Sequence, residues 1–538
     1  MKNLRPAVNL FPLTSLWDKL YPGEQRVRDG LLRFLASARH RLPAGTGTPF
    51  DPSGLVYCCY GEAFFSESHP TALDALADQL ERLRSLGVRT LWTLPLLRSP
   101  GRDGGFDTSG YEEVDARFGG NPAFLRLLQR ARQAGILVVF DVAVNHTSED
   151  HPWFISARSS RSSAHRSWYH WSDDDRRYAG APHIFTGLVD SNWSWSAEAG
   201  QYYFHRFYPF QPDLNYAEPA VTAAMCRVLA GWRIAGVQGF RLDAAPMLWK
   251  KEGTSCEGLP ETHLVLKIFR AALDLLGGNT VLLAEANQPA AALREYFGEG
   301  DECNAAFHFP LLPLLWQAMV EEKPGVLVQA RFPQLPPGCT WFTFLRCHDE
   351  LTLELLPPEP RTKVMQALCR QPSWSFRGGL GISGRLFELL GRDPDRTVLA
   401  FSVLFSLPGT PVLYYGDEAA AGNNEAYYRQ KIRSTGFDDS RFLHRGPLEP
   451  GHAERAAANP DSPAGRVLRG LRRIMEARAL VHGLAEVPPA LEASGPVLIA
   501  ERRAAAGHTL VALSNLSARS VEARGRLLAP YECLWEVS

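Results

Sequence analysis

The 538-residue chain lacks an excess of charge of either sign. Its 57 Lys and Arg stand against 58 Asp and Glu, a formal net charge of −1. That balance gives no support for a nucleic-acid or anionic-membrane partner, since both need clustered positive charge. Paired cysteines are lacking too. The nine, an odd number, are Cys58, Cys59, Cys226, Cys256, Cys303, Cys339, Cys347, Cys369 and Cys533. They are scattered, with no CxxC pair, so neither a zinc site nor a disulfide framework is expected. No run approaches the ~20 apolar residues of a membrane span. The N-terminal MKNLRPAVNLFPLTSLWDKL has no sustained apolar stretch before a small-residue cleavage site. Together these absences lead us to expect a soluble, cytoplasmic protein in reducing surroundings. The sequon Asn145-His146-Thr147 then needs a reason other than glycosylation. The Gly-rich GGLGISG (378–384) lacks GK[ST] and follows no strand, so it reads as a loop and not as a phosphate cradle.

What is present is a recurring strand–helix pattern. Apolar runs fall at Leu55–Tyr60, Thr90–Pro95 and Ile136–Val142, then near 237–243, 280–285, 304–309, 340–346 and 410–415. Helical stretches lie between them: Leu73, Leu76, Leu80, Leu83 and Leu86 recur at spacings of three and four, up to the stop at Gly87. Continuous apolar strands alternating with helices argue for a parallel sheet, and eight strands are the number that closes a (β/α)8 TIM barrel. We therefore expect an α/β fold with the barrel in residues 51–145 and 216–480. A helical segment (1–50) precedes it. The polar, Trp-rich interval 146–215 is too long for a loop and reads as an insertion domain after strand 3. Residues 350–405 read as a smaller helical insertion. From 481 to 538 the runs VLIAERR, HTLVALSNLS and ECLWEVS alternate as in a small antiparallel β domain.

Three of the strand-like runs end on an acid: Asp243 in GFRLDAAP, Glu285 in VLLAEANQ and Asp349 in FLRCHDE. A lone acid at a strand end is more often a cap or a turn residue. Three in one barrel, with Arg241 two residues before Asp243 on the same side of its strand, point to sugar chemistry with paired carboxylates. Arg241 would keep Asp243 ionised for nucleophilic attack. The apolar flanks of Glu285 would raise its pKa toward acid/base work.

The four polar clusters DVAVNHTS, GFRLDA, LLAEAN and LRCHDE resemble, in order, the four signature segments of glycoside hydrolase family 13, the α-amylase superfamily. GTPVLYYGDE (409–418) and QPDLNY (211–216) are similar to two further segments. The resemblance implies Asp243 as nucleophile, Glu285 as acid/base and Asp349 as transition-state stabiliser. It implies Arg241, His146 and His348 as ligands of the innermost sugar. In RDGGFDTSGY it implies Asp103, Phe106 and Asp107 as pocket-forming residues, with Phe106 stacking on the glucosyl ring where relatives carry Tyr. It implies no cofactor. Some relatives hold a structural Ca²⁺ near the position of Asn145, but no DxDxDG-type loop is present and no metal ligand set is assigned.

Two subgroups compete within the resemblance. From YHWSDDDRRYAG to CHDELTLE the chain is similar to trehalose synthases, which interconvert maltose and trehalose. FDDSRFLHRGP (437–447) and the stretch after it are similar to amylosucrases and sucrose hydrolases, and so is the N-terminal helical segment. By that match Arg441 would pair with Asp103 and close the pocket around one glucosyl unit. The trehalose-synthase loop after strand 8 is absent, with Arg433 only a weak counterpart of its arginine. The expectation is a retaining enzyme acting on a small α-glucoside, with sucrose favoured as donor. Trehalose synthase is the alternative, and a non-catalytic family 13 binding module a remote one, since all three carboxylates are kept.

Overall fold

The computed structural model describes residues 10–42, 50–277, 280–480, 488–503 and 508–538. Eight parallel strands close a barrel: β1 (Leu55–Cys59), β2 (Val88–Thr93), β3 (Leu137–Ala143), β4 (Gly239–Asp243), β5 (Val281–Ala284), β6 (Ala305–Phe307), β7 (Thr340–Phe344) and β8 (Thr410–Tyr414). Each pairs with its neighbour in sequence, and β1 closes on β8 with Val56 opposite Val412. All eight of the apolar runs are these strands. Their residues are almost all buried because the barrel interior lies on one face and helices on the other. Aromatic side chains fill the lumen, as where Trp92 meets Phe307 with ring centres 5.0 Å apart. The leucine-spaced helix after β1 is two helices, Ala72–Asp78 and Leu80–Ser85. They meet where the Gln79 N–H tightens to an i−3 bond with Leu76, and all five leucines stay buried.

The N-terminal helices Phe11–Leu20 and Gln25–Arg39 lie on the outside of the barrel against helices Pro219–Ala235 and Pro260–Leu276. Tyr21 is pinned there, its hydroxyl 2.8 Å from the Tyr216 carbonyl and 2.6 Å from Thr222 Oγ1. Residues 146–215 hold helix Pro152–Ser159 and a three-stranded antiparallel sheet (Trp171–Ser172, Gln201–Phe204, Trp193–Ser196). Single bridges His146–Asp213 and Tyr169–Leu214 draw the two ends of this stretch together. The interval 350–405 is not purely helical. Besides helices it holds a three-stranded sheet of Leu351–Thr352, Gly381–Ile382 and Ser375–Phe376. Beyond residue 488 four antiparallel strands form the C-terminal sheet, the three sequence runs joined by Ala490–Ser494, and Val521–Ala523 pairs separately with Arg526–Leu528. Trp535 ties it to the barrel layer by donating to Ser402 Oγ at 2.8 Å. All nine cysteines are free thiols. Among the described residues no helix is long and apolar enough to cross a membrane.

Candidate active site

The acids stand where the barrel strands run out at one end. Asp243 is the last residue of β4, Glu285 follows β5, and Asp349 lies five residues beyond β7. Arg241, fully buried on β4, sits beneath them. Its Nη1 donates to Asp243 Oδ1 at 2.7 Å and to Asp141 Oδ1 at 2.8 Å, and its Nη2 donates to Glu285 Oε1. Three carboxylates therefore share one guanidinium. Burial raises the Asp243 carboxyl to about 7 against the pull of Arg241, and raises Glu285 further, to about 8. Ala244, just past β4, holds φ +51° and ψ +38°, a left-handed conformation that costs a non-glycine residue energy. That turn aims its N–H at Glu285 Oε2, 3.0 Å away.

Asp349 is held differently. Its Oδ1 accepts from Arg441 at 3.1 Å and from Arg445 at 2.9 Å, and His348 Nε2 lies 3.1 Å from its Oδ2. Burial opposes its charge, yet its carboxyl is held well below the usual range. His348 is itself driven toward the neutral form by burial, which leaves Arg441, Arg445 and Arg241 as the cations that hold Asp349 down. The same arginines reach Asp103 Oδ1, Arg441 at 3.0 Å and Arg445 at 3.1 Å, while Gln211 donates to its Oδ2 at 3.2 Å. Asp439 braces Arg441 from behind at 2.6 Å. The Arg441 guanidinium lies 4.9 Å from the ring centres of both Phe185 and Phe376, which meet each other edge to face. Phe106 stacks on His348, with ring centres 4.9 Å apart and planes 19° off parallel. Its loop needs two glycines: a side chain on Gly104 (φ +58°) would press on Tyr60 and Arg445, and one on Gly105 (φ +101°) on Pro95.

These groups enclose a cavity of about 310 Å³. Asp103, Phe106, His146, Asp243, Glu285, His348, Asp349 and Arg441 line it, and Arg241 supports it from below. Asp107 does not reach it. That carboxylate is fully buried in its own loop, accepting from Ser99 Oγ at 2.8 Å and from the Arg102 N–H at 3.1 Å. Arg433 also stays outside, exposed on helix Glu425–Thr435. The sequence reading missed Arg445, although it stands one helical turn after Arg441 and so shares its face. It gave no role to Asp141 or Gln211, although they open the segments DVAVNHTS and QPDLNY, and it missed the cavity wall of Phe185 and Phe207, which nothing distinguishes from other phenylalanines. It also missed the polar mouth, where Glu257, Asn287, Glu350, Glu354 and Arg377 gather. Cys347, His348 and Asp349 offer three ligand-type atoms within 4.8 Å of one another. The two arginines on Asp349 make that a poor place for a metal ion. The calcium position near Asn145 is no better suited, because Lys250 Nζ lies 2.7 Å from Asn145 Oδ1.

The catalytic-domain profile of the Alpha-amylase family matches residues 60–335. Trehalose synthase/amylase TreS of Mycobacterium tuberculosis (strain ATCC 25618 / H37Rv) is 42% identical over 387 residues, 70% of this chain and 64% of that protein. Trehalose synthase of Pimelobacter sp. (strain R48) is 42% identical over 360 residues, 65% of this chain and 62% of that protein. The matched region thus spans less than two thirds of either relative's length. Among solved structures, sucrose 6F-phosphate phosphorylase from Thermoanaerobacter thermosaccharolyticum shares the fold, with a TM-score of 0.72, 17% identity and coverage of 92% of this chain and 98% of that one. With the profile running over the strands that carry Asp243 and Glu285, the chain belongs to the alpha-amylase family, glycoside hydrolase family 13.

Proposed function

We propose that the protein transfers a glucosyl unit of a small α-glucoside with retention, and that it interconverts maltose and trehalose. The observation that carries a small substrate is the closed end of the cavity, and the similarity to trehalose synthases carries the choice of maltose and trehalose. Asp103, Arg441 and Arg445 form a buried ion cluster at one end of the cavity, and a pocket blocked there takes the end of a small glucoside and gives a longer chain no way through. Asp243 attacks the anomeric carbon and forms a covalent glucosyl–enzyme. Glu285 gives its proton to the leaving oxygen and then takes one from the acceptor hydroxyl. Asp349, kept ionised by two arginines, faces the positive charge that develops on the sugar ring. His348 Nδ1, buried and without a hydrogen-bond partner, is available to a sugar hydroxyl.

For isomerisation the released glucose must stay and turn over before it attacks. The mouth supports this: Arg377 reaches Glu350 at 3.5 Å and Glu354 at 3.3 Å, and Asn287 reaches Glu354 at 3.2 Å. The sequence reading favoured sucrose. The 42% identity to two trehalose synthases supports the alternative better. Sucrose stays as a second reading because the sucrose-hydrolase-like segment containing Arg441 and Arg445 supplies the cavity floor. The test is incubation with maltose alone and with sucrose alone, with products separated by chromatography. Trehalose from maltose is expected. Fructose from sucrose without reaction on maltose would replace this reading by the second, and no turnover of either would remove both.

A further inference from the structure

Three hard oxygen donors converge at the junction of the insertion and the barrel. Asn145 lies just past β3, Asp213 ends the insertion, and Met247 lies in the turn after β4. Lys250 Nζ stands among them, 2.7 Å from Asn145 Oδ1, 2.7 Å from Asp213 Oδ2 and bonded to the Met247 carbonyl. The Asp213 contact is an ion pair whose angles fall outside hydrogen-bond geometry. Both side chains are 0% exposed.

A carboxylate, an amide oxygen and a main-chain carbonyl are donors that calcium would accept. Calcium does not fit here. It takes six to eight oxygens, and three converge on this point. The other oxygen of Asp213 is committed to the Arg206 N–H at 3.0 Å. An ion among these donors would also stand beside a fixed ammonium in a site closed to water, where like charges repel strongly. Burial opposes the charge on Asp213, yet Lys250 holds its carboxyl below the usual range.

We propose that the Lys250 ammonium is a built-in cation that fastens the insertion to the barrel in place of a metal ion, making the fold independent of calcium. The consequence reaches the pocket. Asn145 accepts the Leu214 N–H at 2.8 Å, and His146 bridges to Asp213, so the same knot fixes His146 at the cavity wall.

The test compares wild type with two variants in EDTA and in CaCl₂, reading thermal unfolding and bound metal. Wild type is expected to unfold at one temperature in both buffers and to hold only substoichiometric calcium. Lys250→Glu places a second carboxylate at the same point. It is expected to unfold at a lower temperature than wild type in either buffer, since it sets two buried carboxylates face to face with too few oxygens for calcium. Lys250→Met leaves Asp213 buried without a counter-charge and is expected to unfold about 5 °C lower in either buffer. A wild type that loses stability in EDTA overturns the proposal, and so does a Lys250→Glu as stable as wild type. If Lys250→Glu does not fold, an unchanged Lys250→Met overturns it alone.

Discussion

Arg241 sits between three carboxylates and so governs which of them carries charge. One guanidinium cannot compensate Asp141, Asp243 and Glu285 together at the largely buried base of the cavity. Burial raises all three, Asp141 and Asp243 to about 7 and Glu285 to about 8, so the last proton to leave is on Glu285, the group asked to act as acid. The pH dependence follows with a definite sign. Below about 7 Asp243 takes up a proton and stops being a nucleophile. Above about 8 Glu285 loses the proton it must donate. A profile of kcat/KM against pH is expected to be a bell with its maximum between these limbs. A rate that keeps rising through pH 9 would remove Glu285 from the acid role. The acids and Arg241 were legible in the sequence because each stands at the end of an apolar run. The competition among them was not, since Asp141 is hidden inside one: DVAVNHTS begins with it, and only the barrel's closure brings its side chain to Arg241.

At the scale of elements, the eight strands could be read because a strand buried on both faces leaves a continuous apolar run. The connecting loops could not. Their function depends on which ends meet across the barrel mouth, and residues 340 positions apart can meet there. Arg445 and Asp103, 342 apart, are the example, as are Phe185 and Phe376, which both reach Arg441. The 350–405 segment misled in the same way. Its two-residue strands are too short to show alternation, yet the turn Arg377–Gly379 beside them carries Arg377 to the mouth. That side chain is only 9% exposed and bridges Glu350 and Glu354. If this bridge keeps the released glucose in place, Arg377→Ala is expected to raise hydrolysis relative to isomerisation about 3- to 10-fold, the worth of one or two hydrogen bonds. The check is the ratio of free glucose to trehalose formed from maltose. An unchanged ratio would mean that the bridge does not confine the acceptor.

The whole molecule separates support from chemistry. The N-terminal helices and the C-terminal sheet cover the barrel's flank, where Tyr21 and Trp535 anchor them, and neither lines the cavity. The insertion and the 350–405 segment meet over the mouth, with Phe185 against Phe376 at 6.0 Å. The barrel thus supplies the acids, the loop with Asp103 and the segment with Arg441 close one end, and the two insertions narrow the other. The central claim is that Asp243 carries the glucosyl unit covalently between donor and acceptor. It is tested most directly by trapping the intermediate with 5-fluoro-α-D-glucosyl fluoride, digesting the protein and locating the label by mass spectrometry. A single hexosyl adduct on the peptide containing Asp243, missing in Asp243→Asn, is the result expected. Label on Glu285 or Asp349, or undiminished turnover by Asp243→Asn, would contradict it.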